Sequence, residues 1–252
     1  MLSKHYCEVV ENIQLSKDIF KVTVVCKSLA NDAAPGQFLH IKCGDERLLR
    51  RPISICAVVG NAVELVFELK GEGTQWLSKI APGNKLDILG PLGSGFNIPK
   101  GKTIVLGGGI GVPPMLFVAE SATSKVTAIL GFRSMDRVIL KEAFELACAQ
   151  VYITTDDGSF GIHGSVIKPL LALLETGEYE AVLACGPHVM LTEVARVCKL
   201  HAVPLQVSLE ERMGCGVGAC LVCACATIKD GNPDMSRVCF DGPVFCANDI
   251  VW

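Results

Sequence analysis

Eleven residues near the carboxyl end constrain this chain more than any other stretch: Cys215-Gly-Val-Gly-Ala-Cys220-Leu-Val-Cys223-Ala-Cys225, with Cys239 a short way beyond. Three cysteines at C-x4-C-x2-C with a fourth downstream is the plant-type spacing for a [2Fe–2S] cluster. A binuclear iron–sulfur core is compact, so one loop can supply three thiolates only if its backbone wraps closely around it. Gly214, Gly216 and Gly218 offer that freedom, because glycine accepts backbone angles other residues avoid. The fourth ligand must return from elsewhere, and Cys225, Cys239 and Cys246 compete for the role. Cys225 lies two residues past Cys223, where an extended chain turns its side chain the other way. Cys239 is therefore the preferred fourth ligand.

Two other uses of these cysteines are weighed against the cluster. Disulfides fit poorly, since the chain opens Met-Leu-Ser-Lys-His with no apolar signal-peptide core, and a reducing cytoplasm is expected. Structural zinc is the better rival. Zinc sites usually pair C-x2-C with a second C-x2-C or with histidines, however, and no His follows His201.

The length of 252 residues suggests about two domains. Half the residues are hydrophobic and 19% charged, so a sizeable core is available. The net charge of −3 gives no basic field for nucleic acid or an anionic membrane. Mean hydropathy is positive, yet no apolar run reaches the roughly 18 residues of a membrane span. Sparse charge on so apolar a chain leads to the expectation that some surface is covered by a partner. Of thirteen cysteines, six fall between Cys215 and Cys246. The other seven are scattered among Val, Leu and Ala, and most of them read as small buried hydrophobes.

From Tyr6 to about Leu92 the chain reads as short strands. Residues 18–26, 36–43 and 62–69 are rich in β-branched or aromatic side chains, partly alternate, and end in turn residues. With no helical pattern of comparable length, a small antiparallel barrel is expected. Two sites interrupt it. Arg50-Arg51-Pro52-Ile53-Ser54 opens a strand, and the planar fork of Arg51 suits a phosphate. Leu69-Lys70-Gly71-Glu72-Gly73-Thr74 turns a strand into a helix whose free N–H groups would face an anion. Alone, the first is an ordinary surface charge and the second an ordinary helix cap.

Gly90-Pro-Leu-Gly-Ser-Gly-Phe-Asn-Ile-Pro99 reads as a linker, placing a domain boundary at about residue 99 or 100. Beyond it, buried-type strands at 103–106, 126–130, 151–154, 181–184 and 205–207 alternate with helices near 113–122, 138–148, 164–176 and 188–200. That alternation predicts a doubly wound parallel sheet over residues 100–207. Ligands bind such sheets beyond the carboxyl ends of the strands. Gly107-Gly108-Gly109-Ile-Gly111-Val-Pro-Pro114 follows the first strand, where a dinucleotide could approach the backbone. Pro114 replaces the last glycine of the usual fingerprint and suits a first helical turn. Cys185-Gly186-Pro187 follows the fourth strand at the same edge. Thr154-Thr-Asp-Asp-Gly-Ser159 would contact a ribose or simply form a turn. Arg133 and Ser134, at the end of the second strand, leave open a 2′-phosphate and hence NADP.

In order, the chain presents a barrel, Arg-Pro-x-Ser, Gly-x-Gly-Thr, Gly-Gly-Gly-x-Gly-x-x-Pro, Cys-Gly-Pro and a ferredoxin-like cysteine loop. This resembles the ferredoxin reductase superfamily over nearly the whole length. Ser208-Leu-Glu-Glu-Arg-Met-Gly-Cys215 and Arg237-Val-Cys239-Phe-Asp-Gly-Pro-Val-Phe245 more closely resemble the electron-transfer subunits of NAD-linked class B dihydroorotate dehydrogenases. The resemblance implies an FAD-binding barrel (1–99), an NAD-binding α/β domain (100–207) and a [2Fe–2S] subdomain (208–252). FAD would rest on Arg51, Pro52, Ile53, Ser54, Leu69, Lys70 and Gly71, with Gly73 and Thr74 on its pyrophosphate. Many superfamily members carry an aromatic residue where Ile53 stands, so aromatic flavin stacking is not expected there. Gly108, Gly109, Gly111, Pro114, Gly186 and Pro187 would hold NAD, with Cys185 as the catalytic group. Cys215, Cys220, Cys223 and Cys239 would ligate the cluster. A separate FMN-bearing catalytic subunit would oxidise dihydroorotate, in a heterotetramer of two subunits of each kind.

Overall fold

Alternation of buried and outward-facing residues closes the first part of the chain into a barrel. In the computed structural model, which describes residues 3–46 and 48–252, the barrel strands are β1 (Lys4–Ser16), β2 (Ile19–Val25), β3 (Phe38–Ile41), β4 (Arg51–Val59), β5 (Ala62–Glu68) and β6 (Lys85–Leu92). Met1 and Leu2 of the opening stretch lie outside the described residues. The closed order is β1-β2-β5-β4-β3-β6, all pairs being antiparallel. Val63, Leu65 and Phe67, two apart on β5, point inward with Val22, Val24, Leu86 and Ile88. Helix α1 (Lys27–Asp32) buries Leu29 in the same core. Its six residues are too few to show a helical period in the sequence. Helix α2 (Glu72–Leu77) follows β5. The expected linker begins inside β6, which includes Gly90 and Pro91.

The second part is built on β7 (Thr103–Gly108), β8 (Val126–Phe132), β9 (Gln150–Thr155), β10 (Ile162–His163), β11 (Ala181–Cys185) and β12 (Leu205–Ser208). Between them run α3 (Val112–Ser121), α4 (Lys141–Ala147), α5 (Ile167–Leu174) and α6 (His188–Leu200). The α4 helix begins later than expected because residues 135–137 form a separate 3₁₀ turn and Leu140 takes a left-handed φ of 59°. Past the cysteine loop, β13 (Ala224–Lys229) and β14 (Asn232–Arg237) make a hairpin across Asp230-Gly231. Both turn residues have positive φ, as a tight hairpin requires.

Strand β15 (Val244–Cys246) returns antiparallel to β12, giving the sheet order β10-β9-β8-β7-β11-β12-β15. The 208–252 segment thus shares the sheet of the α/β domain, and the expected division at 207/208 falls inside β12. Two-residue β10 and three-residue β15 are too short to be read from sequence.

Helix α3 fixes the barrel against the sheet. Ile19, Cys56 and Val66 of the barrel share one buried cluster with Val112, Met115 and Leu116. Phe117 reaches into the barrel's own core. Arg137 clamps the same junction, pairing with Asp18 at 2.8 Å and Glu68 at 3.3 Å. No helix among the described residues is long and apolar enough to cross a membrane.

Candidate functional site

Two adjoining cavities lie along the junction. One, of about 440 Å³, is walled by Phe38, Arg51, Pro52, Ile53, Ser54, Thr74 and the 208–213 segment. The other, of about 600 Å³, is walled by Gly108, Gly109, Gly111, Arg133, Thr154, Asp156, Gly186 and Pro187. Glu68, Lys70, Ile110 and Glu210 border both. A ligand in each cavity would therefore meet its neighbour at these four residues.

In the barrel cavity the strand start of β4 and the turn before α2 come together. Gly73 lets the Arg51 side chain lie against this turn, because a Cβ at that position would press on its Nε and push the guanidinium aside. Thr74 closes the turn: its Oγ1 accepts from the N–H of Lys70 at 2.9 Å and donates to the Gly71 carbonyl at 3.0 Å. The Arg51 guanidinium, which donates to the carbonyl of Leu49 at 2.8 Å, is held beside that turn. Arg50 has a different task, donating to the carboxylate of Asp87 at 2.7 Å. Leu69, Gly71 and Gly73 stand behind the cavity wall; Leu69 packs against the barrel core.

The larger cavity sits at the carboxyl ends of β7, β8, β9 and β11, where a parallel sheet presents its loops. Gly111 allows two of those loops to touch, since a Cβ there would lie 2.5 Å from the Cys185 carbonyl oxygen and 2.6 Å from the Gly186 nitrogen. Pro114 is buried in the first turn of α3 and shapes the helix start without reaching the cavity. Cys185 differs from its expected catalytic place. It is 1% exposed, lines neither cavity, and burial pushes its thiol far up. Its neighbours Gly186 and Pro187 form the wall. Of the 154–159 run, Thr154 and Asp156 reach the cavity, whereas Asp157 accepts from Ser159 within the turn. Arg133 lines the cavity; Ser134 donates to Asp136.

Charge at the seam is uneven. Glu210, accessible along the cavities yet crowded by protein, has its carboxyl pushed up by burial; Lys70 draws it back and Glu68 adds to the rise. It borders a third cavity as well, of about 310 Å³, beside His188 and Cys225. Neither Glu68 nor Glu210 was legible as a site residue, because no spacing rule marks a carboxylate that acts by position.

The four cysteines of the loop fall into two pairs. Cys215 lies close enough to Cys220, and Cys223 to Cys239, for the thiols of each pair to perturb one another, and the Cys239 N–H donates to Cys223 Sγ at 3.4 Å. Backbone N–H groups converge on the sulfurs: Val217 and Ala219 donate to Cys215 Sγ at 3.4 and 3.3 Å, and Gly218 donates to Cys239 Sγ at 3.2 Å. Burial pushes the Cys215 thiol up, but these donors outweigh it and hold it down at about 6. Burial and the Cys223 neighbour push Cys239 up to about 12. Among the described residues, no three His, Cys, Asp or Glu side chains converge as a single metal ion requires. Two pairs side by side suit a binuclear core, with one pair for each iron, and fit zinc less well. Cys225 borders the third cavity, and Cys246 is exposed on β15. Cys220, Leu221, Val222 and Phe240 are exposed at the rim.

One buried residue joins the loop to the barrel. His40 on β3 is 1% exposed, and burial together with the Arg50 charge lowers its imidazole to about 4. Sequence reading passed over it, because a lone histidine in a strand resembles any core residue.

A family profile described as the iron–sulfur cluster binding domain of dihydroorotate dehydrogenase B matches residues 210–251. The electron transfer subunit of dihydroorotate dehydrogenase B (NAD(+)) from Desulforamulus reducens is 40% identical over 233 residues, covering 89% of each chain. That from Fusobacterium nucleatum is 37% identical over 97% of each. Among solved structures, an NADH-dependent reduced ferredoxin–NADP oxidoreductase studied for flavin-based electron bifurcation superposes with a TM-score of 0.88 at 27% identity, covering 98% of this chain and 90% of the other. The ferredoxin reductase of a carbazole 1,9a-dioxygenase shares the fold, with a TM-score of 0.70 at 23% identity over 82% of this chain and 69% of its own.

Proposed function

The chain belongs to the family of dihydroorotate dehydrogenase B electron-transfer subunits, and we propose that it delivers electrons from dihydroorotate, oxidised on a separate catalytic subunit, to NAD. The observation that carries this reading is the meeting of three sites in one chain. The barrel cavity and the nucleotide cavity share Glu68, Lys70, Ile110 and Glu210, and the 208–213 wall of the first leads directly into Cys215. When bound, FAD exchanges a hydride with the nicotinamide and single electrons with the [2Fe–2S] cluster.

The residues have distinct tasks in this reading. Arg51 and the turn closed by Thr74 would hold the FAD pyrophosphate, and Pro52, Ile53 and Ser54 of β4, which line the same cavity, would hold its ring system. Gly108, Gly109 and Gly111 let the dinucleotide approach the backbone of β7, and Gly186-Pro187 supports the nicotinamide end. Lys70 and Glu210 set the charge where the two ligands meet. Cys215, Cys220, Cys223 and Cys239 hold the cluster, and the N–H groups of Val217, Gly218 and Ala219 stabilise thiolate charge. The exposed rim of Cys220, Leu221, Val222 and Phe240 is the surface on which the catalytic partner docks, since it brings that partner nearest the cluster. The partner would carry FMN and assemble as a heterotetramer of two subunits of each kind.

Replacing Cys220 with Ser tests the reading in the purified complex. Dihydroorotate-dependent reduction of NAD should be lost, while NADH-to-dye activity, which needs only FAD and the nucleotide site, persists. Undiminished physiological turnover would contradict the proposal. The likeness to the bifurcating oxidoreductase favours a second reading, a sister reductase serving ferredoxin. A complex that reduces ferredoxin but ignores dihydroorotate would select it.

A further inference from the structure

His40 stands between two of the sites just described, and nothing in the barrel's packing calls for an imidazole there. On β3 it is two residues from Phe38, so both side chains leave the strand on the same face. Phe38 lines the barrel cavity, as do Pro52 and Ser54, the β4 residues paired with His40 and Phe38. On its other side the ring meets the cysteine loop. A Cβ on Gly216 would lie 2.5 Å from His40 Nδ1 and 3.0 Å from Cε1. Gly216 also adopts a φ of +72°, so glycine is favoured there both by the turn's backbone and, independently, by the close approach of the His40 ring.

Among the described residues, neither Nδ1 nor Nε2 of His40 has a hydrogen-bond partner. The neighbouring Arg50 donates from its guanidinium to the backbone carbonyl of His40 at 3.2 Å, and its charge and its own backbone carbonyl both act on the ring. The Cys215 carbonyl is close enough to act on the ring, though outside hydrogen-bonding geometry. An unmet buried polar atom is destabilising, and a leucine at this position would carry no such cost. Buried groups left in this state call for an explanation. A neutral imidazole has one N–H to donate; the carbonyls of Cys215 and Arg50 are the acceptors near the ring, and Nδ1 is the nitrogen that faces the Cys215–Gly216 turn.

We propose that His40 is a positioning residue for electron transfer, its ring N–H donating to the Cys215–Gly216 turn and setting the cluster loop's distance and orientation relative to the barrel cavity. The inference rests on the reading of the loop as a [2Fe–2S] site. Electron tunnelling falls exponentially with distance, and hydrogen bonds around ligand sulfurs set a cluster's potential. A single wedge between loop and barrel acts on both quantities. Outer-shell hydrogen-bonding residues of metal sites commonly matter in this way.

The test compares His40→Leu and His40→Asn with the unsubstituted full chain, each purified anaerobically in the complex it forms. Iron, flavin and NADH-to-dye rates report on the sites themselves. The electron paramagnetic resonance spectrum of the reduced cluster and the stopped-flow rate of its reduction by NADH report on His40. The leucine variant should keep flavin and dye activity, show a shifted resonance spectrum, and reduce its cluster about 10–100-fold more slowly. The asparagine variant, which retains an N–H donor, should recover much of that rate. Loss of iron from the leucine variant would count against the proposal, since His40 would then serve to retain the cluster rather than to position it. A leucine variant with the parental spectrum and rate would overturn it, as would an asparagine variant no better than leucine. Iron missing from the unsubstituted chain would instead remove the cluster reading on which the inference stands.

Discussion

The parallel sheet and the cysteine loop are neighbours held together by different forces. In β7 and β11, Ile104, Val105, Leu106, Val182, Leu183 and Ala184 are all fully buried, and burial of apolar surface stabilises the whole. Residues 209–223 contain no helix or strand. Their N–H groups turn to sulfur, as Val217 and Ala219 do toward Cys215 and Gly218 toward Cys239. The sheet is an outcome of hydrophobic burial, whereas the loop is arranged around its thiols. Metal-binding energy at such a site is also folding energy for the segment that supplies it.

The largest effect should come from cutting ligation. Cys223→Ser removes one member of the more buried pair, and all bound iron should be lost while the flavin is retained. Limited proteolysis should then cleave within 209–223, leaving the barrel and sheet intact. Cooperative unfolding of the entire chain on iron loss would show that the two regions are not separable. A core change should do the reverse. Leu183→Ala leaves a cavity beneath β11 and should lower stability by about 2–5 kcal/mol, measured by denaturant unfolding, with the cluster spectrum unchanged. The smallest effect belongs to the barrel turn. Gly73→Ala forces Arg51 aside, and because that side chain is flexible the loss should be only about 1 kcal/mol, roughly fivefold in the Kd for FAD. Fluorescence titration of the apoprotein would measure it.

The comparison also explains what could be read before the structure. Strands such as residues 62–68 and 181–185 declare themselves through composition and alternation, because burial acts on every residue in them. The thiol spacing was equally legible, since a compact cluster dictates it. The pairing of Cys215 with Cys220 and of Cys223 with Cys239 was not, because it depends on how the 224–237 hairpin returns Cys239 to the loop. Glu68 and Glu210 escaped notice for a related reason: they matter as the shared border of two cavities, which exists only after the barrel docks on α3. Cys185 shows a different limit. The residues of the Cys-Gly-Pro motif read as a buried thiol at a strand end and only the resemblance implied a catalytic role; the fold presents Gly186 and Pro187 to the cavity with the sulfur buried behind them.

The central claim is that one chain joins a flavin site, a nucleotide site and a binuclear thiolate site. Its most direct test is to assay iron, acid-labile sulfide, zinc and flavin in a single anaerobically purified sample. The account predicts about two irons and two sulfides for each FAD, with no stoichiometric zinc. One zinc per chain in a colourless protein would contradict it.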